Sequence, residues 1–99
     1  MPEFSTPFSV KKNDKKLTKE ELIRAIRFSI AAEYEAIQLY EEIEESIDNE
    51  SAIKILKEVT EDEKVHVGNF LHLLKLIAPD EKDFYEEGNS EAKEILSEN

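Results

Sequence analysis

The 99-residue chain contains no cysteine, no tryptophan, only two glycines and three prolines. The absence of cysteine excludes disulfides, thiolate zinc sites and iron–sulfur clusters. No apolar run approaches the roughly 20 residues that a membrane-spanning helix needs, so no membrane partner is expected. The N-terminus has neither a basic start nor an apolar core, which argues against a signal peptide and makes a soluble cytosolic protein the default.

Basic side chains are also scarce, with 13 Lys and Arg against 24 Asp and Glu and a net charge of −11. Proteins that bind nucleic acid usually present a basic face, so no nucleic-acid partner is expected. The negative field attracts cations over long range, although it does not by itself make a specific site. The length is typical of one small domain.

The spacing of apolar residues predicts two long helices joined by a tight turn. A capping box at Thr18 and Glu21 begins the first helix, which is expected to end near Ile47. The second should run from about Glu50 until Pro79 stops it. We therefore divide the chain into an extended N-terminal arm at 1–17, a two-helix hairpin at 18–78 and a short C-terminal helical segment at 79–99.

The C-terminal segment is expected to contain a short helix that ends at Gly88 and a second short helix after it. The fold class that follows is all-α: an antiparallel two-helix hairpin plus a short C-terminal helix. Both long helices carry apolar residues well outside a single stripe, and such wide apolar faces need more than one partner helix. We expect two hairpins to dimerise into a four-helix bundle.

Polar residues interrupt the apolar face of each long helix at mid-length. Glu63 and His66 do so on the second helix and Glu33 on the first, at positions where a hydrophobic residue is expected. Because an unpaired carboxylate in a core costs several kcal/mol, these side chains should have a partner. The two stripes read Leu56, Val59, Glu63, His66, Phe70, Leu73, Ile77 and Ile26, Ile30, Glu33, Ile37, Tyr40, Ile43 or Glu44, Ile47.

The three polar residues should meet at one height if the helices reverse near Asp48. Glu33 lies about fifteen residues before that turn, and the Glu63–His66 pair lies about fifteen to eighteen residues after it, at ~1.5 Å per residue. Oxygen and nitrogen donors without sulfur suit Fe(II) and tolerate Mn, Co or Zn. Ferritin-like di-iron bundles use one Glu from each of two helices and Glu-x-x-His from each of the other two, so this chain carries half of such a site.

The segments 32–40 and 61–66 resemble the corresponding parts of the encapsulated ferritins, and the likeness extends over about 18–79. This resemblance implies two-helix subunits that form a ferritin-like four-helix bundle, with a di-iron ferroxidase centre across the dimer interface. It also implies a ring-shaped decamer made of dimers, enclosed in an encapsulin nanocompartment in the cytoplasm. The iron that the protein oxidises would pass to the lumen of the encapsulin shell for storage.

Residue by residue, the resemblance places Glu33, Glu63 and His66 on the family's metal ligands and Tyr40 on its tyrosine beside the centre. Glu35 falls on an outer acidic site where incoming metal pauses. Some relatives have a second Glu at the position of Ala32, so this outer site should be weaker here. The chain ends at 96–99 without an encapsulin-targeting peptide, which fits either a truncated chain or a natural fusion to the shell protein.

Less specific interpretations stay open for several of these residues. Tyr40 could hydrogen-bond a metal ligand or simply fill core space, and the second is slightly favoured. The hairpin could be a non-catalytic oligomer with a structural metal or polar network, or a rubrerythrin-like peroxidase, although such peroxidases usually add carboxylates and a cysteine-rich module. An ordinary solvated surface is expected for His72, Glu41, Glu42, Glu44, Glu45, Glu58, Glu61 and Asp62.

Overall fold

The computed structural model describes residues 16–97, which form three helices and no strand. These are α1 (Lys19–Glu45), α2 (Glu50–Ile77) and α3 (Pro79–Ser97). Helices α1 and α2 lie antiparallel and contact each other along their length. The predicted all-α hairpin with a C-terminal helix is confirmed, and its dimerisation stays a prediction. Most of the predicted N-terminal arm at 1–17 lies outside the described residues. In the described part of the chain, no helix is long and apolar enough to cross a bilayer.

Side-chain caps fix where the two long helices begin. The Thr18 hydroxyl accepts a hydrogen bond from the Glu21 backbone N–H at 3.1 Å, and the Glu21 carboxylate accepts from the Thr18 N–H at 2.9 Å. This is the predicted capping box. The Asn49 side-chain oxygen accepts from the Ala52 N–H at 2.9 Å and begins α2. Both caps satisfy backbone donors that would otherwise lack a partner at a helix start.

Two helix boundaries differ from the sequence prediction. Helix α1 ends at Glu45, short of the predicted Ile47, and the Ser46 hydroxyl donates to a backbone carbonyl of the last turn at 2.7 Å. Helix α3 continues through Gly88, where the sequence predicted a break between two short helices. A glycine inside a helix costs only about 1 kcal/mol, which the rest of α3 tolerates.

The core lies between α1 and α2, nearer to the end that carries α3. Ile26, Leu74 and Ala78 form its buried cluster. The most buried residues of α2, namely Thr60, Val67 and Leu74, lie one position away from the predicted stripe. Helix α1 therefore covers only one side of the predicted α2 stripe, and the other side of this stripe is open. Partly buried residues that pack against the cluster are Ile23, Ile30, Phe70 and Ile77.

An ion pair between distant parts of the chain ties α3 to α1. The Arg27 guanidinium Nε donates to both carboxylate oxygens of Glu81 at 3.1 and 3.2 Å, and Arg27 Nη2 donates to the same group. The Tyr85 hydroxyl, one turn further along α3, also donates to Glu81. We call these three residues the Arg27 clamp. Two donors on one carboxylate fix the direction in which α3 leaves the hairpin.

The Arg27 clamp should add stability that is lost in acid. The hydrogen bond from Arg27 is the main cause that holds the pKa of Glu81 below its usual range. Burial raises this pKa, and the hydrogen bond from Tyr85 lowers it further. The ionised carboxylate therefore stabilises the folded state above the usual Glu pKa of about 4.3, and this contribution disappears as the pH falls through the lowered pKa.

We expect Glu81→Gln to lower the free energy of unfolding at pH 7 by less than about 1 kcal/mol, because the Arg27 side chain is 53% exposed. The difference from wild type should shrink towards about pH 3, as measured by thermal unfolding at both pH values. Glu86→Gln is the matched control, since Glu86 is an exposed partner of Lys82 at 3.8 Å. A difference that grows in acid would contradict this account.

Candidate metal centre

Glu33 of α1 meets Glu63 and His66 of α2 across the interface between the two helices. One ligand atom from each residue lies within 4.8 Å of the others. His66 Nδ1 is 3.4 Å from Glu33 Oε2 and 3.8 Å from Glu63 Oε1. The i, i+3 spacing on α2 places two of the three on one side of that helix. The structure thus brings together the three residues that the stripes singled out, and their binding of a metal stays a prediction.

The two carboxylates are shielded and the imidazole is open. The side chains of Glu33 and Glu63 are 18% and 19% exposed, against 48% for His66. Glu33 Oε2 is buried and has no hydrogen-bond partner among the described residues. A buried acceptor without a partner costs about 1–3 kcal/mol, and more when it is charged. A metal cation that binds this oxygen would remove that cost.

The neighbouring carboxyl groups perturb each other. The pKa of Glu63 is raised, first by a hydrogen bond to Glu33, then by burial and by repulsion from the Glu33 charge. The electrostatic interaction with His66 acts on the pKa of Glu63 in the opposite direction. The metal-free protein therefore disfavours the state in which both carboxylates are ionised. A bound divalent cation would favour that same state, because it attracts both charges.

Glu63→Gln should stabilise the metal-free protein while it weakens metal binding. The amide keeps the shape of the side chain and removes one of two adjacent negative charges, so we expect a gain of about 1 kcal/mol at pH 7, or ~4–8 °C in Tm. Thermal unfolding in chelator measures this. Glu61→Gln, an exposed position on the same helix, should change little. If the metal-free Glu63→Gln protein were less stable than wild type, the adjacent charges of Glu33 and Glu63 would not be destabilising.

The other two predicted site residues lie apart from this cluster. Glu35 is exposed on α1, two positions after Glu33, and Tyr40 is half-buried two turns after Glu33. Among the described residues, the metal-binding side chains that lie this close together are Glu33, Glu63 and His66 alone. An outer acidic site at Glu35 and a role for Tyr40 beside the centre therefore stay predictions.

One polar contact near the turn was assigned wrongly from the sequence. Glu44 was expected on the solvated face, but it is half-buried and accepts a hydrogen bond from the Thr60 hydroxyl at 3.3 Å. Thr60 is 3% exposed, and its single hydroxyl proton can go either to Glu44 or to the closer Leu56 carbonyl at 2.7 Å. The sequence did contain a signal for the burial of Glu44, because the apolar stripe of α1 could pass through either Ile43 or Glu44. The Arg27 clamp was missed outright, since no local spacing links residues 54 positions apart.

Comparisons with known proteins identify the family of the chain. A family model described as Rubrerythrin matches residues 12–97. The chain is 42% identical over 82 residues to the ferritin-like-encapsulin shell fusion protein of Pyrococcus furiosus, covering 83% of this chain and 24% of that protein. It is 39% identical over 67 residues to the encapsulin nanocompartment cargo protein EncC of Myxococcus xanthus, covering 68% of this chain and 52% of that protein.

The fold is also that of a solved structure. The encapsulated ferritin domain from Pyrococcus furiosus matches with a TM-score of 0.82 and 38% sequence identity, covering 90% of this chain and 91% of that one. The chain spans about a quarter and about half of the length of the two curated relatives. The family model nevertheless covers all of the described residues. The chain therefore belongs to the rubrerythrin family and, within it, is a homologue of the encapsulated ferritins.

Proposed function

We propose that two copies of this chain form a ferroxidase, which oxidises Fe(II) to Fe(III) with O2 at a di-iron site that the copies share. The observation that supports it best is the convergence of Glu33, Glu63 and His66, with a buried Glu33 oxygen that no described residue hydrogen-bonds. Such a group is costly in a structural core and useful at a cation site. The donor set of oxygen and nitrogen without sulfur suits iron.

A single chain offers too few donors for two metal ions. Three side chains can occupy only part of the coordination sphere of one iron, and His66 remains 48% exposed on the open side of the hairpin. Leu73, one turn further along the same stripe than Phe70, is 38% exposed. A second hairpin related by a two-fold axis would cover this side and supply the same three ligands again. The open stripe thus supports a shared site.

The ligands match the charge of Fe(II) and favour its oxidation. Two copies supply four carboxylates and two neutral imidazoles, so four negative charges face two divalent ions. Because carboxylates stabilise Fe(III) more than Fe(II), this environment promotes loss of one electron from each substrate ion to dioxygen. Glu33, Glu63 and His66 would hold the ions, the carboxylates through oxygen and His66 through a ring nitrogen. The net charge of −11 would draw Fe(II) towards the protein.

We extend the proposal to the setting in which the enzyme works. One relative is named as fused to an encapsulin shell and another as cargo of an encapsulin nanocompartment. A location inside such a compartment, with the shell protein as partner, would give oxidised iron a closed space in which to accumulate. A ring-shaped decamer made of dimers, as the resemblance implies, would leave the iron free to pass into that space. Glu35 would hold incoming Fe(II) at the outer side.

Stopped-flow oxidation tests the activity. The protein is loaded anaerobically with one Fe(II) per chain and mixed with O2-saturated buffer, and Fe(III) absorbance is followed. We expect rapid oxidation of one iron per chain, far faster than the same Fe(II) in buffer. A rate equal to that of buffer would end the proposal. In that case the same residues would be a structural metal site or polar network in a non-catalytic helical oligomer.

A rubrerythrin-like peroxidase is the second candidate, and the match to the Rubrerythrin family model favours keeping it. It would use hydrogen peroxide as oxidant, and it would need an electron donor from elsewhere, since this chain has no cysteine for an iron–sulfur module. Parallel assays with O2 and with hydrogen peroxide, with oxygen removed enzymatically in the second, distinguish the two. Oxidation of iron only by peroxide would favour this second function.

A further inference from the structure

The part of α2 that carries Glu63 and His66 is anchored to α1 on both sides of these two residues. Thr60 and Val67 are both buried, and they flank the two candidate ligands along the helix. Val67 is apolar, as a packed position usually is. Thr60 is 3% exposed and is the only polar residue in the described part of the chain that is buried as a whole. Because a buried polar group needs a partner, its contacts decide how this end of the segment is held.

The partner of Thr60 on the other helix is Glu44. Thr60 Oγ1 lies 3.3 Å from Glu44 Oε2, and the alternative acceptor is the Leu56 carbonyl at 2.7 Å. In an α-helix that carbonyl already accepts the Thr60 backbone N–H, so it does not depend on the hydroxyl. A carboxylate is also the stronger acceptor, since hydrogen bonds to an ionised group are roughly twice as strong as neutral ones. We call the contact between these two side chains the Glu44–Thr60 bridge.

Stability does not explain why a carboxylate occupies this position. Glu44 is half-buried, and α1 ends one residue later. The last turn of α1 contains no basic residue, and a negative charge near the C-terminus of a helix is unfavourable. The ion pairs that α1 makes with described residues use Arg27, Glu33 and Glu41, and not Glu44. A residue that breaks local rules without a gain in stability suggests a role in function.

Apolar packing holds the turn end of the hairpin only loosely. The buried apolar cluster lies at the opposite end, beside α3. Near the turn, Ile43 and Ile55 are 36% and 62% exposed. Hydrophobic contact is also non-directional, whereas a buried polar pair can fix the register of two helices. The Glu44–Thr60 bridge is therefore the contact that can set how α2 lies against α1 near the turn.

Two different faces of α2 could pack against α1. The apolar stripe passes through Val59 and Glu63, and the observed packing line passes through Thr60 and Val67. Packing along the stripe would turn Glu63 and His66 into the hairpin. Packing along the observed line leaves them at its open edge. The observed line is the one that contains a hydroxyl, so a carboxylate on α1 favours it over the stripe.

We propose that the Glu44–Thr60 bridge is a positioning pair for the metal centre. It sets the rotation and height of α2, so that Glu63 and His66 reach Glu33 and still face the open edge. Glu44 and Thr60 lie outside the cluster of candidate ligands, so they act through the helix and not on the metal. This inference deepens the ferroxidase proposal and rests on it for the identity of the ligands.

Metal affinity and stability should respond differently to the loss of the bridge. Glu44→Leu/Thr60→Val replaces both polar partners with apolar side chains, which is usually neutral or stabilising, so the Tm in EDTA should not fall. Affinity for Co(II), titrated anaerobically by visible absorption, should fall by about tenfold or more, and the absorption spectrum of bound Co(II) should change. A double variant with the affinity and spectrum of wild type would overturn the proposal.

Two conservative variants separate the bridge from the charge of Glu44. Thr60→Ser keeps the hydroxyl, and Glu44→Gln keeps the acceptor oxygen but removes the charge. Both should bind Co(II) with close to wild-type affinity and with the wild-type spectrum. If Glu44→Gln weakened binding as much as the double variant does, the negative charge and not the bridge would be responsible, and the proposal would be wrong.

A measurement without metal completes the test. Because the chain has no cysteine, Gln38→Cys and Glu61→Cys allow nitroxide labels at one exposed position on each long helix. Labelled protein is diluted with unlabelled protein, and the distance within one chain is measured by pulsed electron paramagnetic resonance in EDTA. The double variant should give a shifted or broader distribution than the wild-type background. Equal distributions would overturn the proposal. This result does not depend on whether the protein binds Co(II) or oxidises iron, so a failure of the ferroxidase proposal is recognised separately.

Discussion

Replacing Glu63 with alanine is expected to lower the rate of Fe(II) oxidation by about 100-fold or more. The substitution removes one of the two carboxylates that each chain would contribute to hold the metal ions of the shared site. Because every dimer contains two copies, both halves lose a ligand at once. Losses of 10–100-fold are usual for groups that only orient a ligand, so a ligand itself should cost at least that much. Stopped-flow oxidation at one Fe(II) per chain measures the rate.

The matched control for this variant is Glu61→Ala. It removes the same carboxylate from the same helix, but from an exposed position two residues away that lies outside the cluster. Its oxidation rate should stay within about twofold of wild type. If both variants oxidised iron at the same reduced rate, the acidic surface as a whole would be responsible. The assignment of Glu63 as a ligand would then be wrong.

Metal should raise the thermal stability of the protein by more than about 10 °C. A ligand that binds only the folded, associated state stabilises it by about 2.7 kcal/mol at a concentration of 100 times Kd. In a domain of this size, 1 kcal/mol corresponds to ~4–8 °C. Binding would also give a ligand to the buried Glu33 oxygen that no described residue hydrogen-bonds, and it would relieve the repulsion between Glu33 and Glu63. Thermal unfolding with Co(II), which does not react with O2 at once, measures the shift.

Two histidines on the same helix provide the control for this effect. His66→Ala should abolish most of the shift in Tm, because it removes the nitrogen ligand from the cluster. His72→Ala changes an exposed histidine six positions further along and should leave the shift intact. An equal shift in both variants would mean that Co(II) binds elsewhere on the acidic surface.

The hairpin could be predicted from the sequence because local rules determine its helices. The capping box at Thr18 and the cap at Asn49 act within three residues, and the apolar spacing acts within one turn. The equal height of Glu33 and Glu63 along the hairpin could be predicted from the helix rise alone. Helix α3 was harder: Gly88 predicted an end, yet a continuous helix forms because one glycine costs too little to stop it.

The features that the sequence could not predict depend on contacts between distant residues. The Arg27 clamp joins side chains 54 positions apart, and neither periodicity nor a motif signals such a pair. The true packing line of α2 through Thr60, Val67 and Leu74 lies beside the predicted stripe, because the position of a neighbouring helix decides it. This small rotation leaves His66 at the open edge rather than inside, and it supports a site completed by a second chain.

Native mass spectrometry of the metal-loaded protein tests the shared site most directly. If two chains build each di-iron centre, bound metal should be found only in species with an even number of chains, at one ion per chain. Chelation should remove both ions of a pair together. Single chains that hold an ion as tightly as the assembled protein does would contradict the account, because the three ligands of one hairpin would then suffice.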